Sequence, residues 1–141
     1  MVALKINDYK FIVVKPFSPN MGAEIYGVDL SQSVSDDQFA EIEDAFYKYQ
    51  VLFFKDQKEI PPEQHVIFGK RFGPLHAHPA APTMAGHPEI FEIHATKDSK
   101  VANGEFWHSD VSCDETPPLG TMLQIHIAPP CGGDTMFNDM Y

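Results

Sequence analysis

Thr121-Met122-Leu123-Gln124-Ile125-His126-Ile127-Ala128, closed by Pro129-Pro130-Cys131-Gly132-Gly133, is the stretch on which the fold turns. Successive side chains on a β-strand point to opposite faces. Leu123, Ile125 and Ile127 then face one way and Met122, Gln124 and His126 the other, the alternation of a half-buried strand. The Pro/Gly run is a tight connection, and Asp134 to Phe137 begins another strand. Upstream, Phe106 to Ser112 reads as a strand stopped by Thr116-Pro117-Pro118, and Glu89 to Ala95 as one more. Lys97 to Glu105 is a polar loop, and Leu75 to Pro88 is irregular, with prolines and the histidines His76, His78 and His87.

The first half has a different rhythm. Phe11 to Val14 is a short β-branched run, read as a strand; a Pro/Gly turn follows, then a second strand over Ala23 to Val28. Ser35-Asp36-Asp37-Gln38 fits a capping box with acids in the first helical turn. Phe39, Ile42, Phe46 and Tyr49 recur at three- and four-residue spacing, the apolar stripe of a core-facing helix. Val51-Leu52-Phe53-Phe54 is short and uniformly apolar, a buried strand, and Pro61-Pro62 opens a second helix through Phe72, ended by Gly73-Pro74. Two helices followed by many short strands with Gly/Pro punctuation predict a mainly β domain with flanking helices (α+β), a sandwich or jelly roll.

The chain has 141 residues, enough for one ordinary domain, and a hydrophobic share of 43% supplies a core. Lys plus Arg total 10 against 20 for Asp plus Glu, a net charge of −10. That balance argues against a nucleic-acid backbone or an anionic membrane surface as partner. Cys113 and Cys131 form no CxxC motif and no disulfide framework, as for free thiols in a reducing compartment. The N-terminus has no signal-peptide pattern and no run approaches the length of a membrane span, so a cytoplasmic protein is expected.

His108 and Asp110 form an H-x-D pair. On a strand, side chains two apart share a face, which would place an imidazole nitrogen and a carboxylate oxygen side by side. A His and a carboxylate are two members of the 2-His-1-carboxylate triad that holds non-haem Fe(II) and leaves other positions open. Alone, the pair also fits an exposed His beside a solvated Asp.

Around it the motifs accumulate. Trp107-His108-Ser109-Asp110-Val111-Ser112, Glu115-Thr116-Pro117-Pro118 and Pro130-Cys131-Gly132-Gly133-Asp134-Thr135 together resemble the taurine dioxygenase / TfdA family of Fe(II)- and 2-oxoglutarate-dependent oxygenases. Gly22 to Leu30, Asp56-Gln57, Lys70-Arg71-Phe72-Gly73 and Leu75-His76-Ala77-His78-Pro79 extend the likeness, which runs from about Val13 to Tyr141. The resemblance implies a double-stranded β-helix (jelly roll), here incomplete because the chain lacks the C-terminal strands. It implies His108 and Asp110 as iron ligands and Thr135 as the hydroxyl that bonds a carboxylate of 2-oxoglutarate. It implies His78, Asn103 and Val111 as substrate-binding residues. The implied reaction hydroxylates a small organic acid such as a sulfonate, sulfate ester or related carboxylate, using O2 and converting 2-oxoglutarate to succinate and CO2. Related halogenases lack the carboxylate, so Asp110 points to hydroxylation.

Two departures put taurine itself in doubt: Ala81 stands where taurine-specific members have an aromatic, and Cys113 stands where an aromatic is common. A distal His and a downstream Arg that pairs with 2-oxoglutarate are expected of the family, yet no His follows His126 and the last Arg is Arg71. The expectation is therefore a single domain over 1–141, the N-terminal portion of a dioxygenase domain and inactive by itself. A non-catalytic jelly-roll module with a degenerate H-x-D pair is the alternative; a structural Zn site built from His108, Asp110 and a loop His such as His78 is a third. Oligomeric state is left open, a homo-oligomer included.

Overall fold

Ser35 begins the longest helix, α1 (Asp36–Tyr49), and its hydroxyl accepts the Gln38 backbone N–H at 3.2 Å. The sequence predicts a capping box, in which the Gln38 side chain would turn back to Ser35. Instead the Gln38 side-chain amide donates to the Gly27 carbonyl at 3.2 Å, tying the helix start to the end of the preceding strand. The computed structural model describes residues 9–77, 82–99, 104 and 106–140. The chain divides into two compact units, Met1–Ile60 with Gln124–Tyr141, and Pro61–Leu123.

In the first unit, β1 (Val13–Pro16) pairs antiparallel with β2 (Ala23–Tyr26), and β2 pairs in parallel with β3 (Leu52–Phe54). The sheet order is β1-β2-β3, with α1 as the crossover between the parallel strands. Register sets Val14 opposite Ile25 and Ala23 opposite Leu52. The period-2 rule holds here: Val14 and Ile25 are buried while Val13 is exposed. Ile42, Ala45 and Tyr49 of α1 are buried with them. Between β1 and β2 the chain turns at Gly22, whose φ of 82° suits glycine, and a Cβ there would meet the Phe17 ring at 3.1 Å.

Two side chains pin this unit. The Glu41 carboxylate on α1 accepts the backbone N–H groups of Lys10, Phe11 and Ile12 at 2.6, 2.8 and 3.0 Å. Gln57, after β3, accepts the Leu30 N–H and donates to the carbonyls of Val28 and Lys55, each at 2.8 Å.

In the second unit, α2 (Pro62–Lys70) starts on proline and contacts a hairpin of β4 (Thr83–Met84) and β5 (His87–Phe91). The helix ends two residues short of the expected Phe72, and β5 covers the front of the expected 89–95 strand.

The later strands differ from expectation. Among the described residues of 106–140 none joins a ladder. Alternation in sequence sorts side chains only where a neighbouring strand satisfies the backbone, and no such neighbour pairs with these segments among the described residues. In place of a buried apolar face, Leu123, Ile125 and Ile127 are 60%, 72% and 82% exposed. Gln124 is half-buried and accepts the Ile60 N–H at 3.2 Å, while His126 is exposed, its Nδ1 3.6 Å from the exposed Glu59. The architecture described is thus α+β, two helices with a mixed three-stranded sheet and a hairpin. Among the described residues no helix is long and apolar enough to cross a membrane.

Candidate metal centre

His108 and Asp110 are brought together, though on irregular backbone that enters a turn at Asp110 rather than on a strand. His108 Nε2 lies 3.2 Å from Asp110 Oδ1, with the side chains 56% and 48% exposed. The backbone bends at once afterwards: Val111 has φ 50°, and the Asp114 N–H donates to the Val111 carbonyl at 3.1 Å. A β-branched residue in the left-handed region is strained.

The protonation pattern follows from the partners. His108 Nδ1 lies 2.7 Å from the Phe106 carbonyl, and a carbonyl only accepts, so Nδ1 carries the proton. In the neutral ring Nε2 then presents a lone pair to Asp110 Oδ1. At 3.2 Å the two atoms could share a proton on Nε2 or hold a metal ion between them. Neighbouring donors on one ion, each roughly 2.1 Å from it, lie about 3 Å apart, so the donor set fits a metal. The other carboxylate oxygen, Oδ2, accepts the Thr121 hydroxyl at 2.6 Å. Orienting partners of this kind, a carbonyl behind the imidazole and a hydroxyl behind the carboxylate, are typical outer supports of metal ligands.

Val111 adjoins the pair and is half-buried, and Cys113 is an exposed free thiol, as is Cys131. Thr135 lies in the first unit and is exposed. His78, Ala81 and Asn103 lie outside the described residues. Among the described residues no group of three or more His, Cys, Asp or Glu side chains could hold a metal ion. Thr121 was not singled out by sequence; its partner is 11 residues away, and no local pattern signals such a contact. In the first unit an apolar cleft of about 220 Å³ is lined by Phe17, Met21, Gly22, Val51, Phe53 and Phe137, with no carboxylate or imidazole among them.

Comparison with known proteins adds the family. The model of the taurine catabolism dioxygenase TauD, TfdA family matches residues 14–141. An alkylsulfatase of Acinetobacter baylyi is 32% identical over 129 residues, covering 92% of this chain and 40% of that protein. An alpha-ketoglutarate-dependent sulfate ester dioxygenase of Pseudomonas putida is 32% identical over 124 residues, covering 88% of this chain and 40% of its own length. Among solved structures, a taurine dioxygenase from Burkholderia xenovorans superposes with a TM-score of 0.54 at 38% identity, covering 62% of this chain and 31% of that one. The chain thus spans about 40% of the length of the curated relatives it matches.

Proposed function

The chain belongs to the taurine catabolism dioxygenase TauD, TfdA family, and on that premise we propose that it carries two of the three iron ligands of an Fe(II)- and 2-oxoglutarate-dependent dioxygenase. The observation that carries the reading is the approach of His108 Nε2 to Asp110 Oδ1, 3.2 Å apart, an imidazole nitrogen and a carboxylate oxygen side by side. The fold proposed is the double-stranded β-helix, supported by the likeness to a taurine dioxygenase at a TM-score of 0.54. The two exposed thiols, Cys113 and Cys131, suit a reducing cytoplasmic setting.

Fe(II) bound there with 2-oxoglutarate would supply the oxidising chemistry: O2 is consumed, 2-oxoglutarate yields succinate and CO2, and one oxygen atom enters a substrate C–H bond. What the protein does is hold and orient. The Phe106 carbonyl keeps the proton on His108 Nδ1, freeing Nε2 as a ligand. Thr121 holds Asp110 Oδ2 and leaves Oδ1 to the metal. Thr135 is proposed to donate its hydroxyl to a carboxylate of 2-oxoglutarate, and His78, Asn103 and Val111 to meet the substrate.

The substrate class proposed is a small organic acid: a sulfate ester or sulfonate, in keeping with the names of the relatives, or a related carboxylate. With two ligands and no Arg after Arg71, these 141 residues are not expected to sustain turnover on their own.

Anaerobic titration with Fe(II) and 2-oxoglutarate tests the reading. The expected result is a visible charge-transfer band that His108→Ala abolishes. A wild-type chain that develops no band, or a band untouched in the variant, would overturn the assignment of the pair. Sustained succinate release by the 141 residues would overturn the expected lack of turnover.

A further inference from the structure

Two further His–carboxylate contacts lie in the same unit, His76 with Asp114 and His87 with Glu63, and the proposed chemistry uses neither; the first adjoins the metal pair. His76, six residues beyond the end of α2, places Nε2 3.0 Å from Oδ2 of Asp114. The side chains are 27% and 42% exposed, and the two residues are 38 apart in sequence. Asp114 closes the turn that begins just after Asp110, because its N–H donates to the Val111 carbonyl at 3.1 Å.

That turn is under strain. Val111 has φ 50°, where an L-residue is disfavoured by about 1–2 kcal/mol, more so when β-branched. A residue persists in such a conformation only when its surroundings hold it there. On one side of the strained residue the Thr121 hydroxyl holds Asp110. On the other, His76 holds Asp114. A partly exposed contact of this kind adds little to global stability, so its effect is on the geometry of the turn.

We propose that His76 and Asp114 are a positioning pair that holds the 110–114 turn in the conformation that aims the Asp110 carboxylate at His108. The inference rests on the reading of Asp110 as a metal ligand. Its first consequence needs no metal, however: without the pair the turn relaxes and Asp110 leaves its place beside His108.

The test compares the wild-type chain with His76→Ala, Asp114→Asn and His76→Gln, whose amide nitrogen can still reach Asp114. In metal-free protein, ¹⁵N NMR should show the amides of Asp110, Val111 and Asp114 and the His108 ring shifted in His76→Ala and Asp114→Asn. His76→Gln should restore them, and amides of α1 should serve as the unchanged reference for folding. Mn(II) binding followed by electron paramagnetic resonance should weaken by about tenfold in His76→Ala and recover in His76→Gln, the lower end of the range for partners behind metal ligands. Resonances of Asp110 and His108 that stay in place in His76→Ala would overturn the pair's role. A wild-type chain that binds no Mn(II) but shows the metal-free shifts would leave the positioning role standing and count against the proposed function instead.

Discussion

The hydroxyl of Thr121 donates to Oδ2 of Asp110 at 2.6 Å, and the other oxygen of the same carboxylate faces His108 Nε2 at 3.2 Å. One oxygen is thus held and the other is presented. Thr121→Val keeps the shape and removes the donor. Divalent-metal affinity should fall by about tenfold, while the urea midpoint should hardly move because the carboxylate is half exposed. Thr121→Ser should restore the affinity. Calorimetric titration with Mn(II) checks all three proteins.

Glu41 gathers the N–H groups of three successive residues, Lys10, Phe11 and Ile12, onto one carboxylate. Charge-assisted hydrogen bonds contribute about 1.5–3 kcal/mol each when well enclosed, and these are mostly exposed. Glu41→Ala should lower stability by about 2 kcal/mol by urea denaturation. Glu41→Gln should lose less, since one oxygen remains to accept.

Asp29 titrates below the usual carboxylate range. The largest cause is the Ser31 hydroxyl at 2.5 Å, followed by the Ser31 N–H at 3.0 Å, with the Lys58 ammonium also favouring the charged form. A depressed carboxylate adds stability above its unfolded pKa, about 3.9, and that stability is lost as pH falls through the lower folded value. Asp29→Asn should therefore be less stable than wild type near neutrality, and the two should converge in acid. Urea midpoints across the acid range test the convergence.

Leu123, Ile125 and Ile127 present three large apolar side chains to solvent. Ridges of this kind drive association. The chain should self-associate with rising concentration in light scattering, and the Ile125→Glu, Ile127→Glu double variant should do so less, with its far-ultraviolet circular dichroism unchanged.

How much could be read in advance depended on how local the determining contacts are. Ser35 capping α1, the proline start of α2 and the second strand were legible because caps and periodicity act within a turn or two, whereas the first strand, expected over Phe11 to Val14, lies at Val13–Pro16. The parallel pairing of β2 with β3 was not, because it is settled across the whole of α1. The 121–128 alternation was misread because period 2 states which side chains would share a face, whereas burial needs a paired neighbour; Gln124, half-buried, meets the Ile60 N–H instead. His108 and Asp110 were found from their spacing, although the conformation that joins them is a turn beside a strained Val111. The partners of Thr121 and His76 were not legible because each lies far along the chain, 11 and 38 positions away.

Addition of Mn(II) to the ¹⁵N-labelled chain locates the metal site, since paramagnetic broadening reports where the ion sits even when binding is weak. With the ion at His108 and Asp110, resonances of His108, Asp110 and Thr121 should broaden first, and His108→Ala should remove the effect. Broadening centred elsewhere, as on the acidic first turn of α1 at Asp36 and Asp37, or none at all, would contradict the assignment of the pair.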